Sequence, residues 1–259
     1  QLQRVQAQLD HLLVLPKPVV AVTDLIAQGK LVRAEEICRT FLQKVPHHVE
    51  AMRLLADIGS RLGALEEAEF LLESAVEFAA DNVQVRIDYI RTLRKRQKFA
   101  AAFVQAQGLL ASAPENPQFQ SLYAIECMQT GDYVAALAAF DEILRTLPGD
   151  ATTLTSRGHT LKTCGQFDEA IASYHAALSS NPKHAEAWHS LANLKTYRFS
   201  AADRAAMAAL AGDNNLSFMD RVYVAFALGK ACEDADDYQA SFQHYARGNQ
   251  LKKNQSRYD

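Results

Sequence analysis

The densest charged cluster of this 259-residue sequence contains five basic side chains within eight residues, Arg91, Arg94, Lys95, Arg96 and Lys98. Arginine presents a planar fork of donors that matches a carboxylate, so Arg91 and Arg94 could bind an acidic segment of a partner. Cations at the end of a helix also stabilise its C-terminus, by about 0.3–1 kcal/mol each at exposed sites. The sequence favours this structural role and leaves the binding role open.

Metal and catalytic chemistry has weaker support in the residue pattern. His47 and His48 lie close to Glu50, but two adjacent loop histidines lack the spacing of a zinc site, which favours solvated side chains. The motifs GxSxG, GxGxxG, HExxH and the EF-hand loop do not occur in the sequence. No spacing pairs a nucleophile with a base, so we predict no catalytic residue, no metal and no cofactor in this chain.

Composition narrows the class of protein. With 22% charged and 49% hydrophobic residues and only 7 prolines, the sequence predicts a folded chain rich in helix. The net charge of -3 provides no general field for nucleic acid, and charges interrupt each apolar run before the roughly 18 residues of a membrane span. The 4 cysteines show no CxxC spacing, which favours reduced thiols and a cytoplasmic protein.

The elements that position these side chains follow a 34-residue repeat. An alanine recurs at this spacing, an apolar or aromatic residue precedes it by three positions, and a turn residue, usually glycine, lies two positions further upstream. The alanines are Ala34, Ala68, Ala102, Ala136 and Ala170, and the turn series is Gly29, Gly63, Gln97, Gly131 and Gly165. Glycine permits a positive φ, and a side chain larger than alanine at a helix contact costs about 1–3 kcal/mol. We therefore predict antiparallel helix pairs throughout the repeat region.

This pattern resembles the tetratricopeptide repeat (TPR). The fifth unit matches best, with Gly158, Leu161, Gly165, Phe167, Ala170, Tyr174, Ala177 and Pro182 in place. The resemblance implies an all-α, right-handed superhelical solenoid of antiparallel helix pairs. Its five units are 15–48, 49–82, 83–116, 117–150 and 151–184. Residues 1–14 are expected to form a separate N-terminal capping helix.

The pattern changes after residue 184. Residues 185–221 contain half a repeat, with Trp188 in register, and a linker helix whose expected N-cap is Ser200 and whose expected end is Gly212. Residues 222–259 are expected to form a degenerate unit that leads to a missing C-terminal domain. In that unit Tyr238 takes the place of the turn aromatic and Ser241 the place of the contact alanine.

Residues 188–259 resemble the junction in bacterial proteins that fuse TPR units to a sulfotransferase domain. The resemblance lies in the runs 188–199, 226–234 and 237–249. It implies a catalytic domain in cis that binds 3′-phosphoadenosine 5′-phosphosulfate and covers the apolar surface of Tyr238, Phe242 and Tyr245. Self-association could cover that surface in the isolated chain.

The phosphate-binding loop of that family does not occur in this sequence. The nearest string, 156–160, is predicted in the middle of a helix, where its amides bond within the helix and cannot hold a phosphate. No catalytic residue of the family can therefore be assigned to this chain.

The TPR resemblance also implies that the leading helix of each unit lines a concave groove. The residues expected there are Arg53, Asp57, Arg91, Arg94, Ser121, Ile125, Thr155, His159, Lys162, His189 and Asn193. An acidic segment in this groove would contact Arg53, Arg91, Arg94 and Lys162. The Lys/Asn/Arg clamp of chaperone-tail binders does not occur here. The acidic runs 66–73 and 233–237 are predicted to be solvated faces.

These observations predict a protein- or peptide-binding scaffold without enzymatic activity of its own. The expected partners are a protein or peptide, such as an acidic segment, and the sulfotransferase domain in cis, with neither nucleic acid nor membrane. The alternative is a freestanding adaptor that assembles a multiprotein complex. Whether the gene continues past Asp259 would distinguish the two.

Overall fold

The computed structural model describes residues 15–194 and 196–255, and these residues contain fourteen α-helices and no strand. The predicted capping helix within residues 1–14 lies outside them. The helices are α1 Lys17–Ala27, α2 Leu31–Lys44, α3 Val49–Leu62, α4 Leu65–Phe78, α5 Val83–Lys95, α6 Phe99–Ser112, α7 Pro117–Thr130, α8 Tyr133–Thr146, α9 Ala151–Thr163, α10 Phe167–Ser180, α11 Ala185–Ala192, α12 Ala201–Ala211, α13 Phe218–Glu233 and α14 Tyr238–Gln255. The all-α prediction is confirmed for this part of the chain.

The chain divides into two compact bodies, an N-terminal body of residues 1–119 and a C-terminal body of residues 120–259. In the N-terminal body, α1 packs on α2, α3 on α4 and α5 on α6, and each pair also packs on the next. In the C-terminal body, α9 packs on α10 and α13 on α14. Each body thus contains packed helix pairs.

The turn within each pair has the backbone that the repeat predicts. The φ angles of Gly29, Gly63, Gln97, Gly131 and Gly165 are 72°, 89°, 60°, 88° and 79°. Gln97 therefore adopts a left-handed conformation although it carries a Cβ atom, because the position in the repeat fixes the turn. Asp236, two residues before Tyr238, does the same with a φ of 59°.

The repeated alanines lie at the centre of the helix contacts. All five are fully buried, and Ala34 and Ala170 belong to the apolar clusters of the N-terminal and C-terminal bodies. Because protein interiors are close-packed, a larger side chain at a fully buried alanine would overpack the helix contact.

The segment after residue 184 departs from the regular repeat. Helix α11 has only 8 residues, and α12 follows it after an irregular segment. Ser200 caps α12 in a capping box with Asp203, and Gly212 is the C-cap, as the sequence predicts. Helix α13 begins at Phe218, before the predicted start of the degenerate unit at residue 222, because the Ser217 side chain accepts a hydrogen bond from the Asp220 amide.

The last two helices retain one contact of the regular repeat. Gly229 on α13 faces the ring of Tyr245 on α14, and a Cβ atom at Gly229 would lie 2.7 Å from Cδ1 of that ring. Ser241 is buried at the position of the contact alanine. Among the described helices, none combines the length and the apolar character that crossing a membrane requires.

Candidate functional site

The leading helices α3 and α5 of the N-terminal body enclose a groove of about 210 Å³, called here the α3–α5 groove. Its polar lining consists of Arg53, Asp57, Ser60, Asp88, Arg91, Thr92 and Lys95. Three of the residues expected from the sequence, Arg53, Asp57 and Arg91, therefore lie together. Arg94 is half-buried and does not line this groove.

Arg53 is held by two carboxylates at the floor of the groove. Its guanidinium lies 2.7 Å from Glu50 Oε1 and 2.9 Å from Asp88 Oδ2, which joins α3 to α5. The hydrogen bond with Glu50 raises the pKa of Arg53 most, burial opposes this, and Asp88 raises it further. Arg53 therefore connects α3 to α5 through ion pairs. Because two carboxylates already compensate its charge, Arg53 is less available to an acidic ligand than the sequence suggests.

Arg91 and Lys95 have fewer close carboxylate contacts than Arg53. Arg91 is exposed, and the nearest oxygen of Asp88 lies 3.5 Å from its Nη1. Lys95 Nζ donates to Ser60 Oγ over 2.6 Å, so its closest partner is a neutral hydroxyl. Residues four apart on a helix lie on one face. The two cations thus stand side by side at the groove, where they could bind one carboxylate together.

The other part of the basic cluster has a structural role. Arg96 Nη1 and Lys98 Nζ lie 2.7 Å and 2.6 Å from the Glu69 carboxylate, whose side chain is 9% exposed, and Arg96 also binds Glu66. Glu67 binds Arg39 of α2. The prediction that the acidic run 66–73 is a solvated face is therefore wrong for Glu69, which is buried with its counter-charges, whereas Glu66 is exposed as predicted.

The residues expected at the groove in the C-terminal body do not form one polar surface. Ser121 and Ile125 are half-buried on α7, and Asn193 is exposed at the C-cap of α11. Thr155 is buried, and its hydroxyl donates to the Ala151 carbonyl over 2.8 Å. Thr155 is thus a correction to the sequence expectation, because its one hydroxyl is used within α9.

Two histidines of the C-terminal body lie near each other on α9 and α11. His159 Nε2 lies 2.9 Å from Ser190 Oγ. Since Ser190 donates to the Glu186 carbonyl over 2.7 Å, His159 is the donor to Ser190. The His189 ring stacks on Tyr223 with centroids 4.9 Å apart.

The environment of these two histidines favours the neutral imidazole. Burial lowers the pKa of His159, Glu186 opposes this, and Lys162 lowers the pKa further. Burial also lowers the pKa of His189, and Lys252, Lys162 and His159 add to the effect. The pair therefore adds aromatic surface and hydrogen-bonding atoms to this region, not positive charge.

The histidines considered as metal ligands and the string considered as a phosphate loop have structural roles. His48 caps α3, since its Nδ1 accepts from the Ala51 amide over 3.2 Å, and the His47 ring packs 4.4 Å from that of Phe78. The string 156–160 lies within α9, as predicted. In the described residues no group of three His, Cys, Asp or Glu side chains could hold a metal ion. His48 as a cap was missed because histidine is not a usual N-cap residue.

Stacked antiparallel helix pairs with a 34-residue period and a left-handed turn in each pair define a helix-hairpin repeat protein. Sequence profiles of the tetratricopeptide repeat match residues 25–87, 90–151 and 151–184. The chain belongs to the tetratricopeptide-repeat family, and its fold is an all-α TPR scaffold of the kind typical of protein–protein interaction.

Solved structures support the same fold. A tetratricopeptide repeat protein from Parabacteroides merdae is 18% identical, with a TM-score of 0.67 over 91% of this chain and 92% of that one. YrrB, described as a TPR protein with an unusual peptide-binding site, is 17% identical, with a TM-score of 0.56 over 67% of this chain and 89% of YrrB. The structure of MamA from residue 41 to its end, from Desulfovibrio magneticus RS-1, is 10% identical, with a TM-score of 0.57 over 65% of this chain and 98% of that chain. No curated protein matches the chain.

Proposed function

We propose that this chain is a peptide-binding scaffold whose α3–α5 groove takes an acidic segment of a partner protein. The observation that carries the proposal is the pair Arg91 and Lys95, one helical turn apart beside a groove of about 210 Å³, where Arg91 reaches Asp88 only at 3.5 Å and Lys95 binds a neutral hydroxyl. YrrB, which shares the fold, is described as having a peptide-binding site, and this supports a ligand of the same class.

The chemistry of the two cations fits a carboxylate side chain. Arg91 would donate two parallel hydrogen bonds through its planar guanidinium, and Lys95 would add a compact charge on the same side of α5. Asp57 is already bound to Arg61 and Asp88 to Arg53, so the acids of the groove have internal partners. An acidic segment would thus meet one cation whose carboxylate partner is 3.5 Å away and one whose bonded partner is uncharged.

Fluorescence anisotropy with a labelled peptide of alternating glutamate and alanine tests this proposal, with the glutamine analogue as the neutral probe. We expect the acidic peptide to bind more tightly, and Arg91→Glu or Lys95→Glu to weaken its binding at least tenfold. Arg33→Glu is the matched control, because Arg33 is an exposed residue of α2 outside the groove. Equal binding of both peptides, or equal loss in all three variants, would refute the groove assignment.

The resemblance of residues 188–259 supports a second proposal, that the chain is the cytoplasmic N-terminal region of a sulfotransferase that uses 3′-phosphoadenosine 5′-phosphosulfate. On this proposal the catalytic domain follows in cis, and the chain itself has no enzymatic activity. The alternative is a freestanding adaptor that assembles a multiprotein complex.

Calorimetry with 3′-phosphoadenosine 5′-phosphate distinguishes the two. Binding by the longer gene product and not by residues 1–259 is expected for a sulfotransferase. Absence of binding by the longer product would favour the adaptor.

A further inference from the structure

Helix α4 carries two phenylalanines at positions where the other repeat units have other residue types. Phe70 and Phe78 are 67% and 51% exposed. Their equivalents at intervals of 34 residues are Glu36, Val104, Ala138 and Ala172 for Phe70, and Lys44, Ser112, Thr146 and Ser180 for Phe78. Neither position needs an aromatic side chain for the repeat, and about half or more of each ring is exposed, although Phe78 also contacts His47.

The two rings border an open apolar groove between α2 and α4, with a volume of about 530 Å³, called here the α2–α4 groove. Its apolar lining includes Leu42, Met52, Leu55 and Leu71. Aromatic side chains around an exposed apolar groove are typical of an interaction surface, because they bury a large area when a partner covers them.

The charge of α4 is uniformly negative. The helix has five glutamates and no lysine or arginine. Glu66, Glu67 and Glu69 bind cations outside α4 and Glu73 accepts a hydrogen bond from Tyr89 of α5, whereas Glu77 is exposed. A partner for this face should therefore present aromatic or aliphatic side chains together with basic ones.

Helix α14 of the same chain has that chemistry. Tyr238 and Phe242, one turn apart, are 65% and 73% exposed. Arg247, Lys252 and Lys253 follow on the helix, which contains no acidic residue. Phe242 lies three residues before Tyr245, as Ile171 lies three before Tyr174 in the regular repeat, where Ile171 packs against the core. The position that contributes to the core in α10 is thus an exposed apolar residue in α14.

We propose that α14 of one copy of this chain docks in the α2–α4 groove of a second copy. Tyr238 and Phe242 would pack against Phe70 and Phe78, and the basic helix α14 would meet the negative potential of α4. The two faces are different surfaces, so the contact is heterologous. Each bound copy keeps one face unoccupied, and association can continue to further copies.

Sedimentation velocity on the 259-residue chain tests the contact. At roughly 100 μM, where a contact of micromolar affinity is almost fully formed, the wild type should sediment as species larger than a monomer. Phe70→Ser and Phe242→Ser should each be monomeric. Val134→Ser is the control, because Val134 is 81% exposed on α8 and lies outside both faces. Association should weaken from low salt to 1 M salt, where the Debye length is about 3 Å.

Mixing the two monomeric variants gives the sharpest result. Phe70→Ser retains an intact α14 and Phe242→Ser an intact α2–α4 groove, so the mixture should form a complex of one copy of each and stop there. Circular dichroism of each variant checks that its helix content is unchanged.

Three results would overturn the proposal. They are a wild-type chain that stays monomeric, a Phe242→Ser variant that associates like the wild type, and a mixture of folded variants that stays monomeric. The second would indicate that α4 pairs with itself.

Discussion

Gly158 on α9 lies directly against the ring of Tyr174 on α10. A Cβ atom at Gly158 would lie 2.5 Å from Tyr174 Cε1 and 2.8 Å from Cδ1. Tyr174 is fully buried, so its ring cannot move into solvent to relieve such a contact. The close approach of α9 and α10 therefore depends on the missing side chain of Gly158.

Gly158→Ala should destabilise the fold by about 1–3 kcal/mol, because it overpacks the contact with Tyr174. Urea unfolding followed by circular dichroism measures the change. Gly108→Ala is the matched control, because Gly108 lies in α6 and its new Cβ would meet only Arg86 Nη1, at 3.5 Å. The free energy of unfolding of this control should rise by about 0.5–1 kcal/mol, because alanine loses less backbone freedom than glycine when the chain folds. Equal destabilisation of both variants would contradict the contact.

Ala170→Leu should be strongly destabilising. Ala170 is fully buried between packed helices, and a leucine would force them apart. Ala136→Leu should behave in the same way, whereas Ala206→Leu on the exposed side of α12 should leave the thermal midpoint almost unchanged. Similar thermal shifts for all three variants would show that the alanines do not mark the helix contacts.

Glu69→Gln should lower the free energy of unfolding by about 1–3 kcal/mol, because Arg96 and Lys98 would lose the carboxylate that they share. Chemical denaturation gives the difference. Glu142→Gln removes an exposed ion pair with Arg145 and should have no measurable effect, since such pairs contribute little. If Glu69→Gln left the free energy of unfolding unchanged, the ion pairs of Glu69 would contribute no more than an exposed surface pair.

Acid should destabilise the C-terminal body through its two buried histidines. The pKa of His159 and of His189 lies below the ordinary value of 6.5 in the folded chain, so the unfolded chain takes up protons first as pH falls. The stability contributed by the neutral rings is complete above about pH 6.5 and is lost as pH falls toward the folded pKa, at up to about 1.4 kcal/mol per pH unit for each histidine.

Thermal midpoints of the wild type and of His189→Gln between about pH 7.5 and 5.5 check this linkage. The variant should show a smaller pH dependence. A steeper or unchanged dependence in His189→Gln would contradict the prediction.

Thiol labelling should separate the cysteines by burial. Cys164 is exposed, whereas Cys38 is buried and donates to the Ala51 carbonyl over 3.2 Å. Burial raises the pKa of Cys38 to about 11, which leaves little reactive thiolate near neutral pH. Ellman's reagent should give a fast phase that Cys164→Ser removes. A fast phase that persists in that variant would show that another thiol is accessible.

The period of the sequence predicts the features that depend on local position. The left-handed turn at Gln97 follows from its place in the series of glycines, and the cap at Ser200 follows from the residues next to it. Helix α13 begins at Phe218, before the predicted start at residue 222. The 34-residue period does not include its N-terminal cap, which Ser217 and Asp220 form.

The ion pairs of the candidate site could not be predicted in this way. Glu69 binds residues 27 and 29 positions away, and these distances along the chain match no local pattern. The basic cluster divides because Arg91 and Lys95 lie on one face of α5, whereas Arg96 and Lys98 lie in the turn that follows α5. The position of Lys95 at the groove could have been predicted, because it lies four residues after Arg91 and therefore on the same face of α5.

Three ion pairs in the N-terminal body join one repeat unit to the next: Arg39 with Glu67, Arg53 with Asp88 and Arg96 with Glu69. In a linear array of repeats, the strength of these junctions decides whether units lose their structure singly or together. The two less exposed pairs, Arg53 with Asp88 and Arg96 with Glu69, raise the free energy needed to open the helix pair α3 and α4 alone. Amide hydrogens of α3, α4 and α5 should therefore exchange through one common opening event, with similar opening free energies.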